Sequence, residues 1–153
     1  APGNAGSLDA QLQRDIERDS AAYTRFLEAL RLPGETPGQQ ADRSRALQNA
    51  ALHSARVPID TARHTLEAMR LALEAGRVGN KNTVSDAGSA VILGRASIAC
   101  SLLNARTNLK NLEDPQSALS VFKEINEIEA AADIVYRDMN EIIRERSGLS
   151  LPL

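Results

Sequence analysis

From Leu119 to Ile142 the apolar residues return every third or fourth position: Leu119, Phe122, Ile125, Ile128, Ala132, Val135, Met139 and Ile142. A seam of that period lines one side of an α-helix and no side of a strand. Asp114 and Pro115 supply an N-cap and a first helical residue, and Gly148 a stop. One helix of about 30 residues, ending near Arg146, is therefore predicted, spanning ~45 Å. That is longer than a compact domain of this size requires, and it points to packing against a second chain, most simply in a two-fold dimer. The chain holds two Tyr, two Phe and no Trp, so its core must come from Leu, Ile, Val and Ala. The expected fold is all-α, a bundle of long, mostly antiparallel helices.

Two further helices follow from the same period. Leu8, Leu12, Ile16, Tyr23, Phe26, Leu27 and Leu30 outline one from Ser7 to Leu32, ended by Pro33 and Gly34. Asp15, Glu17, Arg18 and Asp19 fall between these positions and are expected on a solvated face. The longest helix is predicted over about 39–75. It contains Pro58, which removes an amide donor and clashes with the preceding turn at a cost of ~3 kcal/mol, so a kink or break is expected near Arg56. Residues 1–6 are expected to be a flexible leader, 7–148 a single helical domain, and 149–153 an apolar tail that docks on the bundle or frays.

Composition removes several classes of function. Among 153 residues the formal net charge is −2. No positive field recommends a polyanion, and no aromatic stripe is available to stack on bases, so nucleic acid is not an expected partner. No run of 18 apolar residues and no signal-peptide pattern is visible, so no membrane partner is expected and the chain is expected in the cytoplasm. Cys100 stands alone in an apolar helix and is expected as a buried, inert thiol. His53 and His64, 11 residues apart, would lie ~16 Å apart on one helix and cannot share a metal, so no metal site is expected.

The stretch with chemical character is Gly79-Asn80-Lys81-Asn82-Thr83-Val84-Ser85-Asp86-Ala87-Gly88. Glycine, asparagine and lysine before a helix leave amides and backbone donors free at a turn. Ser85 is expected as the N-cap, with Asp86 in the first turn facing the positive end of the helix dipole. Along the helix that follows, to about Lys110, Ala90, Gly94, Ser97, Ser101, Asn104 and Asn108 fall on one strip, and Val91, Ile98, Leu102 and Leu109 on its neighbour. The small, polar strip suits close helix packing or space for a ligand, and both readings stay open.

This stretch, together with Leu103-Asn104-Ala105-Arg106-Thr107-Asn108-Leu109-Lys110, resembles the formiminotransferase-cyclodeaminase C-terminal domain family, which includes the methenyltetrahydrofolate cyclohydrolases. Asp19 to Tyr23 is similar to the family's acidic-x-x-Ala-aromatic helix, Leu32-Pro33 to its Leu-Pro turn, and Val57-Pro58-Ile59 to its mid-helix Val-Pro-Leu. The likeness covers about residues 9 to 146. The family's usual N-terminal region, with a Thr-Pro-Gly-Gly-Gly-Ser loop, has no counterpart here, which implies a piece of a longer protein or an incomplete site.

The resemblance implies folate one-carbon chemistry on 5-formiminotetrahydrofolate (cyclodeaminase, releasing ammonia) or on 5,10-methenyltetrahydrofolate (cyclohydrolase), with no cofactor beyond the tetrahydrofolate substrate. It implies Asp86 as proton carrier or pterin ligand, Asn80, Lys81, Asn82 and Ser85 as substrate-orienting groups, and Asn104 and Asn108 as lining of the small-residue strip. Asp86 and Asn108 lie 22 residues apart, ~33 Å on one helix, so serving one site would take a second protomer. The competing expectation is a non-catalytic dimerisation or scaffold module derived from the same family.

Overall fold

The computed structural model describes residues 2–110 and 112–152, with side chains from residue 6 onward. Among them are four α-helices: α1 (Pro2–Leu30), α2 (Pro37–Val78), α3 (Val84–Leu109) and α4 (Pro115–Ser147), with one turn of 3-10 helix (Lys81–Thr83) ahead of α3. The all-α bundle expected from the apolar period is what forms.

Sequence neighbours run antiparallel. Asp15 meets His64 while Arg25 meets His53, so α1 descends as α2 rises. Arg106 meets Glu129 and Arg95 meets Asp133 in the same sense between α3 and α4. α2 packs against all three other helices. The core lies along it: Ile59, Ala62 and Met69 from α2, Val91, Ile98 and Leu102 from α3, Val121, Ile125 and Met139 from α4, all nearly excluded from solvent. Helix axes can approach closely at Gly94, where a Cβ would collide with Met69 Cγ, and at Gly88, where it would collide with Ile143 Cδ1.

Helix ends follow local chemistry. Thr36 caps α2 in a reciprocal box with Gln39, and Gly148 ends α4 with a left-handed φ of 74°. Asp114 caps α4. The Ser117 hydroxyl, then the backbone N–H groups of Ser117 and Gln116, hold its carboxyl below the usual carboxylate range. A depressed acid stabilises the fold above its unfolded-state pKa and loses that contribution as pH falls through the lowered, folded-state value. The protection factors of the Gln116 and Ser117 amides, that is their exchange after correction for the intrinsic pH dependence, are thus expected to fall on acidification in the wild type and to change far less with pH in Asp114→Asn, as hydrogen exchange would report.

Several expected positions shift. α1 begins at Pro2, ahead of Ser7, and its contact with α2 is made by Leu8, Asp15, Ala22 and Ala29, whereas Ile16 and Tyr23 are 71% and 64% exposed. Asp15, expected in solvent, is buried because His64 Nδ1 at 2.7 Å and Arg18 at 2.8 Å pair with it. On α4 the middle of the seam holds, but Val121 and Ile143 replace Leu119, Phe122 and Ile142 at its ends. The tail docks: the Leu151 N–H donates to Asn140 Oδ1 at 2.7 Å, and the Tyr136 hydroxyl donates to the Pro152 carbonyl. Leu153 lies outside the described residues.

Candidate functional site

The turn between α2 and α3 is built by its own amides. Asn80 Oδ1 accepts from the Asn82 N–H at 3.0 Å, and the Thr83 hydroxyl donates back to the Asn80 carbonyl at 2.9 Å. That closure winds 81–83 into a 3-10 turn that runs straight into α3, so the helix starts at Val84 and Thr83 sits at its cap position, its hydroxyl turned back to Asn80 and not capping α3. Ser85 is therefore not the N-cap; it occupies the first turn, where its carbonyl accepts from the Ser89 hydroxyl. Lys81, Asn82, Ser85 and Asp86 all face solvent. Asp86 has no hydrogen-bond or ion-pair partner among the described residues.

From the other side the turn is held by Arg146 near the end of α4. Its guanidinium donates to the carbonyls of Gly76, Arg77 and Gly79, the last at 2.8 Å. A cation over the C-terminus of α2 satisfies orphan carbonyls and the negative end of the dipole together. A sequence reading passes over Arg146, because one basic residue in a last helical turn is common.

The opposite end of α3 holds a cleft of about 240 Å³, lined by Asp19, Ala22, Tyr23 and Phe26 of α1, Ala51 and Ser54 of α2, and Asn104 and Asn108 of α3. Its floor depends on Pro58. A proline has no N–H to give the carbonyl four residues earlier, which leaves the Ser54 oxygen without its helical partner. Asn108 Nδ2 donates to that oxygen at 2.9 Å. Nearby, the Thr61 hydroxyl donates to the Val57 carbonyl at 3.2 Å. α2 consequently stays helical through Pro58, and the break expected near Arg56 does not occur.

This pairing makes a testable coupling. Asn108→Ala leaves a carbonyl orphaned at a cost of about 1–3 kcal/mol. In a Pro58→Ala background the restored N–H reclaims Ser54, and the same asparagine deletion should cost markedly less. Urea unfolding of the four proteins in a double-mutant cycle is expected to give an interaction energy of roughly 0.5–3 kcal/mol; strict additivity would contradict the pairing.

The sequence-derived site residues thus fall into two groups. Asn80, Lys81, Asn82, Ser85 and Asp86 gather at one end of α3, and Asn104 and Asn108 at the other, and Asp86 does not line the cleft that holds the asparagines. Within one chain they do not meet. Between them α3 presents an uncharged face to solvent, carrying Ala90, Leu93, Ser97, Cys100 and Asn104. Cys100 is exposed, contrary to expectation, because Val91, Ile98 and Leu102 are the residues turned inward. The Lys81–Leu109 stretch is long and apolar enough to cross a membrane by length and composition, yet only 22% of its most apolar window is buried in the bundle.

The fold and candidate site are thus those of an all-α bundle with an amide-rich turn and a polar cleft at the two ends of one small-residue helix. The sequence model of the family described as formiminotransferase-cyclodeaminase matches residues 3–127, and the chain belongs to that family. A methenyltetrahydrofolate cyclohydrolase of Methylorubrum extorquens is 30% identical over 131 residues, which cover 86% of this chain and 63% of that protein. A formimidoyltransferase-cyclodeaminase of Mus musculus is 30% identical over 118 residues, 77% of this chain and 21% of that protein. A solved structure of a formiminotetrahydrofolate cyclodeaminase from Thermotoga maritima shares the fold, with a TM-score of 0.79 at 24% identity, over 92% of this chain and 66% of that one. The chain thus spans just under two thirds of the cyclohydrolase and about a fifth of the mouse protein.

Proposed function

We propose that the chain acts in folate one-carbon chemistry, as a cyclodeaminase on 5-formiminotetrahydrofolate or a cyclohydrolase on 5,10-methenyltetrahydrofolate. What carries this reading is that the family match over residues 3–127 spans both the amide-rich turn and the asparagine-lined cleft. Both reactions pass through a tetrahedral carbon, formed by N10 on the formimino carbon or by water on the methenyl carbon. Each needs a proton delivered to a departing nitrogen or taken from the attacking water. Asp86, a free carboxylate in an exposed first turn, is assigned that transfer. Asn80, Lys81, Asn82 and Ser85 are assigned to orienting substrate beside it, Asn104 and Asn108 to the far end of the ligand; no cofactor besides the folate is required.

The two groups need a second protomer to converge. With α3 of one chain antiparallel to α3 of its mate, Asp86 of each approaches the Asn104–Asn108 end of the other. The uncharged, mostly unburied face of α3 suits such a contact. Ser97 lies midway between Asp86 and Asn108 and so falls at the two-fold axis. Ser97→Arg, at an exposed position, is expected to halve the mass seen by light scattering and to abolish turnover while the monomer stays helical; a monomeric wild type with full activity would sink the shared-site arrangement.

The activity itself is tested by following loss of the methenyl cation's near-ultraviolet absorbance, with ammonia release from 5-formiminotetrahydrofolate in parallel. Turnover of one substrate separates hydrolase from deaminase. No turnover of either, with no thermal shift by folates, would instead fit a scaffold module.

A further inference from the structure

Asp86 has no hydrogen-bond or ion-pair partner among the described residues, so its carboxylate stands where the backbone of the turn and of the start of α3 puts it. That backbone closes on itself. The Asn80 side chain accepts from the Asn82 N–H, and the Asn80 carbonyl accepts from the Thr83 N–H at 3.0 Å and from the Thr83 hydroxyl, so 80–83 and the start of α3 form one unit. What ties this unit to the bundle comes from the far end of α4. Arg146 donates to the carbonyls of Gly76 and Arg77 in the last turn of α2 and, through its other Nη, to the carbonyl of Gly79, the residue immediately before Asn80. One planar fork thus joins the end of α2 to the entry of the turn through charge-assisted bonds. Gly79 is itself pressed onto α2: its N–H donates to the Ala75 carbonyl at 2.8 Å, and a Cβ there would collide with that oxygen. On the inner side of the first turn of α3, Gly88 is buried against Ile143 and Leu151. Arg146 and Leu151 lie beyond residue 127, where the family match ends, so this clamp belongs to a part of the chain that the match does not reach.

We propose that Arg146 is the positioning residue for Asp86: it holds the Gly79 carbonyl to the end of α2 and so sets where the one carboxylate assigned to proton transfer stands. The inference rests on that assignment and deepens it. A reacting group misplaced by ~1 Å can lose about 10² in rate, whereas binding, spread over many contacts, responds far less.

The test is steady-state turnover of 5,10-methenyltetrahydrofolate and 5-formiminotetrahydrofolate by the full chain, for wild type, Arg146→Ala, Arg146→Lys and Arg144→Ala, each also in an Asp86→Asn background. Arg144 is exposed in the same last turn with no side-chain partner among the described residues. Arg144→Ala therefore removes the same charge and none of the contacts, and it is expected to match wild type. Arg146→Ala is expected to lower kcat about 10- to 100-fold with KM changed far less. Arg146→Lys keeps a cation at the end of α2 without the fork and should stay folded with an intermediate loss. With Asp86→Asn already present, Arg146→Ala should lower the rate little further, since a group unable to carry the proton has no position to lose. Hydrogen exchange gives a readout without turnover: the Gly79 amide should lose protection in Arg146→Ala and keep it in Arg144→Ala. If Arg146→Ala does not fold, Arg146→Lys decides by the same comparisons. Wild-type kcat in the folded Arg146 variants, or the same fold loss with and without Asp86, would overturn the positioning role and leave the folate reading standing. Turnover of neither substrate by wild type would overturn both.

Discussion

Asp86→Ala is expected to lower kcat by about 10²–10⁴ while leaving thermal stability almost unchanged. The separation of the two effects follows from where the side chain sits. It is exposed in the first turn of α3, makes no hydrogen bond or ion pair with another described residue, and acts on the fold electrostatically through the helix dipole, typically under ~1 kcal/mol. Asp86→Asn should be nearly as inactive, because an amide keeps the shape and cannot carry the proton. Subunit exchange then tests the shared site proposed above. Asp86→Ala and Asn104→Ala damage opposite ends of α3, so mixing the two inactive proteins should place one intact site in each mixed dimer and recover about a quarter of wild-type activity. Recovery of none after exchange would mean that both ends serve a site within one chain or that only one end serves catalysis.

Leu102→Ala is expected to cost about 2–5 kcal/mol and to lower Tm by roughly 2–4 °C for each kcal/mol lost. Leu102 is fully buried on α3, facing the part of the core shared with α2 and α4. A cavity there cannot refill easily, since the neighbouring helices are fixed by Gly94 against Met69 on one side and by the two hydrogen bonds from Arg106 to Glu129 on the other. Leu119→Ala deletes the same atoms from a position 67% exposed and should stay within about 0.5 kcal/mol of wild type. Scanning calorimetry on the pair decides the matter, and equal shifts would contradict the assigned core.

These two leucines also mark what the sequence could convey. Period alone finds which elements are helices, and the middle of the α4 seam, because Ile125, Ile128, Val135 and Met139 are apolar and in phase. It fails where residue size misleads. On α1 the bulky Ile16 and Tyr23 look like core, but the helix turns the smaller Ala22 and Ala29 toward an alanine-rich α2, a choice set by how closely two helices approach. Asp15 looks solvated until His64, 49 residues on, is seen beside it. The candidate site divides in the same way. The turn is legible as a run of amides, whereas the cleft is assembled from three helices, and the contact of Asn108 with Ser54 spans 54 residues. Nor does local pattern tell Thr83 from Ser85 as the cap, because the 3-10 turn that decides it is closed by Asn80.

The bond from Asn108 to the Ser54 carbonyl bears on how such chains diverge. A descendant that regains an amide at position 58 frees the asparagine from its structural duty, and one that loses the asparagine gains by giving up the proline. Drift at either place should alter selection at the other, so the two positions are expected to change together among relatives, although one lies inside a helix interior and the other on the wall of a cleft.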